Sequence, residues 1–247
     1  MTDHSLKKNF EALFKHSPEI VGYAPGRVNI IGDHTDYNQG FVLPAAIQMG
    51  THIAASRRDD NQICAFAGGF TQTIDQFPLD NIEYCHDEMW RNYVRGTLQC
   101  LRQHNNEFSG MNLYIAGNVP QGAGLSSSAS FEIALLKTVT DLYSLDLGGV
   151  DAALIGQAAE NSFVGCNCGI MDQLVSAMGL ENHAMVLDCR DLSIKDAPIP
   201  EGTAILVVNS NVKRGLVDSE YNSRRSQCET VAQILGVAAL RDLSVSQ

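Results

Sequence analysis

Apolar and polar positions repeat along this chain with a period that changes several times, and each change predicts an element. Residues 5–16 read as a short helix, and 19–24 as a strand closed by the turn signal Pro25-Gly26. Val28, Ile30 and Ile31 form a second short apolar run. Further short strands are predicted at 41–47, 51–56, 63–67 and 70–77, punctuated by Gly, Asn and Asp. The period then lengthens: over 88–104, Trp90, Val94, Thr97, Leu98 and Leu101 share one helical face. Met111, Leu113 and Ile115 return to alternation, the mark of a half-buried strand. Phe131, Ala134, Leu135, Thr138 and Leu142 recur at spacings of three and four, the mark of an amphipathic helix. Asp151 is placed to cap a helix carrying Leu154, Ile155, Ala158, Ala159 and Phe163. A break at 165–169 precedes a short helix near 171–178. Apolar strands are predicted at 184–187 and 204–208, and a last helix at 218–235. Strands early and helices later, with some alternation and no repeat or linker, predict an α+β fold or a mixed α/β sandwich. After Gly236 no closing element is predicted, which reads as a disordered tail or a chain cut before its last portion.

Between the alternating strand and the amphipathic helix lies Gly-Asn-Val-Pro-Gln-Gly-Ala-Gly-Leu-Ser-Ser-Ser-Ala-Ser, residues 117–130. Glycines admit a ligand close to the backbone, and a helix N-terminus offers unpaired N–H groups and a positive dipole end. Serine hydroxyls add donors, so the loop suits a phosphate. An ordinary helix N-cap is the plainer alternative. Neither common phosphate motif fits: Ala123 and Gly124 stand where a P-loop needs Lys and Ser/Thr, and Ser127 replaces the third glycine of a dinucleotide fingerprint.

Charge narrows the partners. With 28 acidic against 17 basic residues the net charge is −11, which argues against nucleic acid or an anionic membrane. There is no run of 18 apolar residues and the N-terminus is polar, so a cytoplasmic protein without a membrane span is expected. Seven cysteines at irregular spacings read as reduced, mostly buried thiols. Cys166 and Cys168, with His183 downstream, lack the second pair a structural zinc site would want.

Two further stretches carry directional polar groups. Asp33, His34, Asp36 and Asn38 sit within six residues beside glycine turns. They suit a polyhydroxylated ligand, whose hydroxyls each donate and accept, or a polar turn that bonds its own backbone. Asp172 stands at the mouth of a short helix, where it also satisfies the helix dipole. Glu160 lies among Ala158, Ala159 and Ser162; it is either solvated or, with Ser128 nearby, able to hold Mg²⁺ that keeps several waters.

Residues 26–38, Gly-Arg-Val-Asn-Ile-Ile-Gly-Asp-His-Thr-Asp-Tyr-Asn, resemble the galactokinase signature. Residues 120–130 are similar to the second motif of the GHMP small-molecule kinases. Residues 166–173 and Glu220-Tyr221-Asn222 also resemble galactokinases, so the likeness runs through nearly the whole chain in order. The resemblance implies a GHMP-kinase N-terminal domain (ribosomal S5 domain 2-like) over 1–200 and the start of a C-terminal domain over 201–247. It implies phosphorylation of galactose at C1 by ATP, the galactose 1-phosphate step of the Leloir pathway. The ATP phosphates would lie on Gly122, Ala123, Gly124, Leu125, Ser126, Ser127 and Ser128. Mg²⁺ would be held by Ser128 and Glu160. Galactose would be bound by Asp33, His34, Thr35, Asp36 and Tyr221. Asp172 would face the C1 hydroxyl, with Arg27 beside it and beside the γ-phosphate. A monomer is implied.

Two departures stand out. The family signature usually has Glu where this chain has Asp33, one methylene shorter. The family's third, glycine-rich motif has no counterpart here, so the chain is expected to be the N-terminal two-thirds of such a kinase. Other readings are a different GHMP kinase, which would lack the sugar motif, and a non-catalytic galactose and ATP sensor or binding fragment. Sensor relatives are altered at the Ser-Ala step, which is intact here as Ser128-Ala129.

Overall fold

The computed structural model describes residues 3–69, 71–104, 107–209 and 217–244. In chain order the elements are α1 (Asp3–Phe14), β1 (Ile20–Ile31), β2 (Phe41–Arg57), β3 (Gln62–Ala67), β4 (Asp75–Pro78), α2 (Met89–Gln103) and β5 (Met111–Gly117). Then come α3 (Ser127–Tyr143), α4 (Gly149–Ala158), a π-helical turn (Ala159–Val164), α5 (Met171–Met178), β6 (His183–Asp188), β7 (Ser193–Pro198) and α6 (Val217–Leu235). Short 3-10 turns occupy Asp36–Asn38 and Leu240–Asp242. The α+β fold is as expected.

Among the described residues seven strands form one sheet in the order β4-β3-β5-β2-β6-β7, with β1 paired to β2 beside this path. The pairings are antiparallel except β3 with β5. A parallel pair cannot be joined by a tight turn, and the connection through β4 carries α2. β2 is the frame: Ile20 to Asn29 register on Ala55 to Pro44, Thr51–Arg57 pair with β5, and Phe41–Ala45 pair with β6.

The main core lies between this sheet and α2, α3 and α4, where Ile53, Ile63, Leu98, Leu101, Met111, Leu113, Leu135 and Leu136 are buried together. On the other side Leu6 and Phe10 of α1 pack on Ala54, Tyr114 and Ala116. This overturns the half-buried reading of β5. Met111 to Ala116 are all buried, because α1 covers the face that alternation assigned to water.

Other expectations are corrected too. Pro25-Gly26 is not a turn; β1 runs through it and the register jumps between Pro25 and Arg27. Proline, lacking an N–H, is tolerated in a sheet at such irregularities. The runs 41–47 and 51–56 are one strand, continued across Gly50 because the Asn118 side chain accepts the Gly50 N–H at 2.8 Å. Of the strand expected at 70–77 only Asp75–Pro78 is regular, and Phe70 lies outside the described residues. Asp151 sits in the first turn of α4 and does not cap it; the N-cap is Gly148. Leu154, expected on the packed face, is exposed. Residues 204–208 form no strand: they pair with no sheet edge among the described residues, and Leu206 and Val208 are open to solvent. β7 was not anticipated, since Ser-Ile-Lys-Asp-Ala-Pro lacks a strand's apolar run. Nor are residues 237–244 a free tail, for Ala239 is buried and Arg241 is ion-paired to Asp188. The cysteines are free thiols as expected, but only Cys64 is fully buried.

Candidate active site

Four elements converge at one end of the sheet: β1, the loop between β5 and α3, the π-helical turn, and the N-terminus of α5. β1 projects Arg27 towards Asp172 at the start of α5, and the two form a bidentate pair. Nε donates to Oδ1 at 2.7 Å and Nη2 to Oδ2 at 2.8 Å. Such a fork fixes a carboxylate's orientation as well as its charge. The remaining arm of Arg27 donates from Nη1 to the Gly124 carbonyl, and its backbone N–H to the Leu125 carbonyl at 3.1 Å. Arg27 therefore ties Asp172 to the glycine-serine loop.

The loop's conformation departs from a simple cap. Gly122 and Gly124 have positive φ of 67° and 72° with open space where a Cβ would stand. Ser126 occupies the N-cap position of α3, yet its φ is 55° and its side chain makes no capping bond. Instead its hydroxyl donates to Asp172 Oδ2. The plainer helix-cap alternative thus fails for Ser126: no side chain caps the helix at that position, and no acidic residue lies in its first turn. Such an end attracts anions. Leu125 is buried, and Ala123 lies between the two glycines of the turn. Ser127 and Ser128 open α3 and line a cavity of about 210 Å³ together with Met89, Trp90, Tyr93 and Phe131. Trp90 Nε1 is buried without a hydrogen-bond partner.

Behind Ser128 lies a cluster of acids. Glu160, 5% exposed, accepts from Tyr93 at 3.4 Å, from Gln173 Nε2 at 2.8 Å and from the Cys168 thiol at 3.5 Å, and it also bonds Ser128. None of these partners is a cation. Burial, then the negative charge of Asp172, push the Glu160 carboxyl up to about 7. Glu132, fully buried, accepts from the same Gln173 Nε2 at 3.1 Å, and its Oε1 has no partner. Burial and Glu160 hold its carboxyl well above the usual range. Glu132, Tyr93 and the bridging amide of Gln173 were not singled out from the sequence. The signal was there for Glu132: a lone carboxylate four residues after Ser128, among Phe131, Ile133, Ala134 and Leu135.

The loop between β1 and β2 holds the other predicted residues. Asp36 is buried, and burial followed by the charge of Asp172 raises its carboxyl to about 6. The Tyr221 hydroxyl of α6 donates to Asp36 Oδ2 at 3.5 Å, and its ring lies 5.4 Å from Tyr37 and 6.1 Å from His34. Gly169 fits tightly there, since a Cβ would stand 2.1 Å from Asp36 Oδ2. Asp33 and His34 are exposed; Asn29 Nδ2 donates to Asp33 Oδ1 at 2.7 Å, and His34 Nδ1 is 2.7 Å from the Tyr37 hydroxyl. The Thr35 hydroxyl bonds the carbonyls of Gly32 and Phe41 at 2.8 and 2.7 Å, closing the loop on itself. The side chain of Glu220 lies outside the described residues. Asp36, Asp172, Arg27, Ser128 and Glu160 are thus brought together, while Asp33 and His34 stand at the rim.

Residues 92–180 match the GHMP kinases N terminal domain, and residues 8–57 match the galactokinase galactose-binding signature. The chain thus carries a GHMP kinase N-terminal domain together with a galactokinase galactose-binding signature. It is similar to the galactokinase of Lactococcus lactis, whose crystal structure was determined in complex with galactose. The match has 32% identity and a TM-score of 0.89, covering 98% of this chain and 64% of that one. A mevalonate kinase from Methanococcus jannaschii shares the fold, with 18% identity and a TM-score of 0.58 over 71% of this chain and 55% of that one. The chain therefore spans less than two-thirds of these proteins' length. Among the described residues no helix is long and apolar enough to cross a membrane.

Proposed function

We propose that this chain carries the phosphoryl-transfer and sugar subsites of an ATP-dependent galactokinase, making galactose 1-phosphate for galactose catabolism. The observation that carries this reading is the Arg27–Asp172–Ser126 linkage, which joins a fixed carboxylate to the glycine-serine loop on one side of Asp36. Residues 1–200 would form the family's N-terminal domain and 201–247 would begin the next.

In this reading Gly122 to Ser128 bind the ATP phosphates through backbone N–H groups and hydroxyls, and the cavity between Trp90 and Ser128 takes the nucleoside. Asp36 and Tyr221 hold sugar hydroxyls at the closed side of the pocket, with Asp33, His34 and Thr35 shaping its rim. The C1 oxygen attacks the γ-phosphorus, the bond to the bridging β-oxygen breaks, and Asp172 receives the hydroxyl proton. Arg27 holds Asp172 in place and neutralises charge on the transferred group, a role that suits a guanidinium because it keeps its proton.

Mg²⁺ fits the donors present. Glu160 is a buried carboxylate with no cationic partner among its hydrogen bonds, and Ser128 supplies a neutral oxygen beside it. No group of three or more His, Cys, Asp or Glu among the described residues is arranged to hold a metal alone. An ion completed by water and phosphate oxygens matches such a set. Bound there, Mg²⁺ would neutralise phosphate charge.

The test is coupled ADP release by the 247-residue chain with galactose, glucose and mevalonate as acceptors. Galactose-dependent turnover is expected. Turnover with mevalonate alone, or none in a cooperatively folded chain, would overturn the reading.

A further inference from the structure

The turn that carries Asp36 is held from outside by a residue 205 positions away in sequence. Asp36–Asn38 is a single 3-10 turn, and Gln39 closes it in the left-handed conformation, φ 58° and ψ 26°. The Gln39 N–H bonds the Asp36 carbonyl at 3.2 Å, and the Gly40 N–H bonds the Thr35 carbonyl at 2.7 Å. A short turn ended by a non-glycine in this conformation needs outside support to stay in one state.

That support comes from the turn Leu240–Asp242. Arg241 Nη1 donates to the Gln39 carbonyl at 2.7 Å. The same guanidinium is forked on Asp188 at the end of β6, with Nη2 to Oδ2 at 2.9 Å and Nη1 to Oδ1. It lies 4.3 Å from the Phe41 ring centroid, the first residue of β2. A second strand of contacts runs parallel. Arg190 Nε donates to Gln39 Oε1 at 2.9 Å, and its Nη2 to Asp242 Oδ1 at 2.6 Å. Asp242 in turn accepts the Ala239 N–H, and the Cys189 N–H bonds the Gly40 carbonyl at 3.0 Å. Both sides of the Asp36 turn's exit are thereby fastened to the C-terminal end of β6 and the residues just after it.

We propose that Arg241 is a positioning residue for the sugar subsite: by holding the Gln39 carbonyl against Asp188 it fixes the loop that presents Asp36. This rests on the galactose reading of that loop. Arg241 makes none of its recorded contacts with Asp36, Asp172 or the serine loop. Its effect therefore passes through the population of the correct loop conformation, and binding weakens by the fraction lost. Losing the contact is expected to weaken sugar binding roughly tenfold.

The experiment pairs two readouts on wild type, Arg241→Ala and Arg241→Lys. Hydrogen exchange of amides 35–40, without ligand, reads the loop whatever the sugar is. Galactose-dependent kinetics read the consequence. Expected for Arg241→Ala are faster exchange confined to 35–40, a galactose KM raised about tenfold, and kcat and the KM for ATP within about twofold. Arg241→Lys, which keeps the charge on a single donor nitrogen but loses the planar fork, should fall between. Unchanged exchange at 35–40, or an unchanged galactose KM alongside faster exchange, overturns the proposal. So does exchange that rises equally in α3, which would make Arg241 a general stabiliser. If wild type turns over no galactose, the functional reading fails, and the exchange data still decide whether Arg241 holds the loop.

Discussion

Two acidic sites sit side by side at the head of α5, and what they face separates them. Asp172 is gripped by Arg27 through two hydrogen bonds of 2.7 and 2.8 Å. Glu160 and Glu132, one turn away through Gln173, accept only from neutral groups. The first site is paired in charge, so its carboxylate is held in one orientation. The second has no cationic partner: burial, then the charge of Asp172, drives the Glu160 carboxyl up to about 7. Carboxylates of one chemical type thus acquire different roles from their neighbours. In the proposed function one would serve proton transfer and the other an ion that arrives with the nucleotide.

The comparison breaks most severely if the two sites are made alike. Arg27→Met strips the guanidinium from Asp172 and from the Gly124 carbonyl. The expected result is a fall in kcat of about a thousandfold with a smaller change in galactose KM, read by coupled ADP release. A fall of less than tenfold would mean that the pair is only structural.

The second site is probed by Glu160→Gln. Apparent Mg²⁺ affinity should drop roughly 10–100-fold, the scale of altered metal shells. The folded chain should nonetheless gain on the order of 1–3 kcal/mol at pH 8, because no buried acid need then ionise. Mg²⁺ titration and urea unfolding measure the two, and their opposite signs are the signature. A smaller effect is expected at Gly169→Ala, whose methyl must displace Asp36 Oδ2 from 2.1 Å. Galactose KM should rise about tenfold while kcat stays within a few-fold.

The least dramatic prediction is a pH slope. Asp36 at about 6 and Glu160 at about 7 bind protons more tightly folded than at their ordinary values of 3.8 and 4.5. Their contribution to stability is full below those ordinary values and is lost as pH rises towards 7. Denaturation midpoints of the ligand-free chain should therefore fall from pH 5 to about pH 7.5, and Glu160→Gln should flatten the slope. A midpoint that rises over this window would show that Asp36 and Glu160 are not the groups in control.

Much of this arrangement was legible in the sequence because it is local. The strand–loop–helix around Ser126, the helix over 88–104 and the Asp33–Asn38 turn are each set by short-range pattern, and each appears. What escaped was tertiary. Alternation in β5 marked one buried face, but α1 buries the other, and nothing in Met111–Gly117 announces Leu6 and Phe10. Residues 204–208 have strand composition without a partner edge, so composition alone misleads. The loop's serines offered a helix cap, but the Ser126 hydroxyl is taken by a carboxylate 46 residues on. The Glu132–Gln173–Glu160 bridge joins three elements and has no local signature beyond one acid in an apolar helix. Arg241 gave no signal at all, since its partners Gln39 and Asp188 come from distant turns.

The measurement that bears most directly on the two-site account is Asp172→Asn assayed in parallel for galactose binding by calorimetry and for galactose-dependent ADP release. The substitution keeps the shape and removes the charge and the proton acceptor, leaving Asp36, Tyr221 and Glu160 in place. The account predicts a galactose affinity within about threefold of wild type and turnover lowered by roughly 10²–10⁴. Turnover within tenfold of wild type, or affinity and turnover lost in equal proportion, would contradict it.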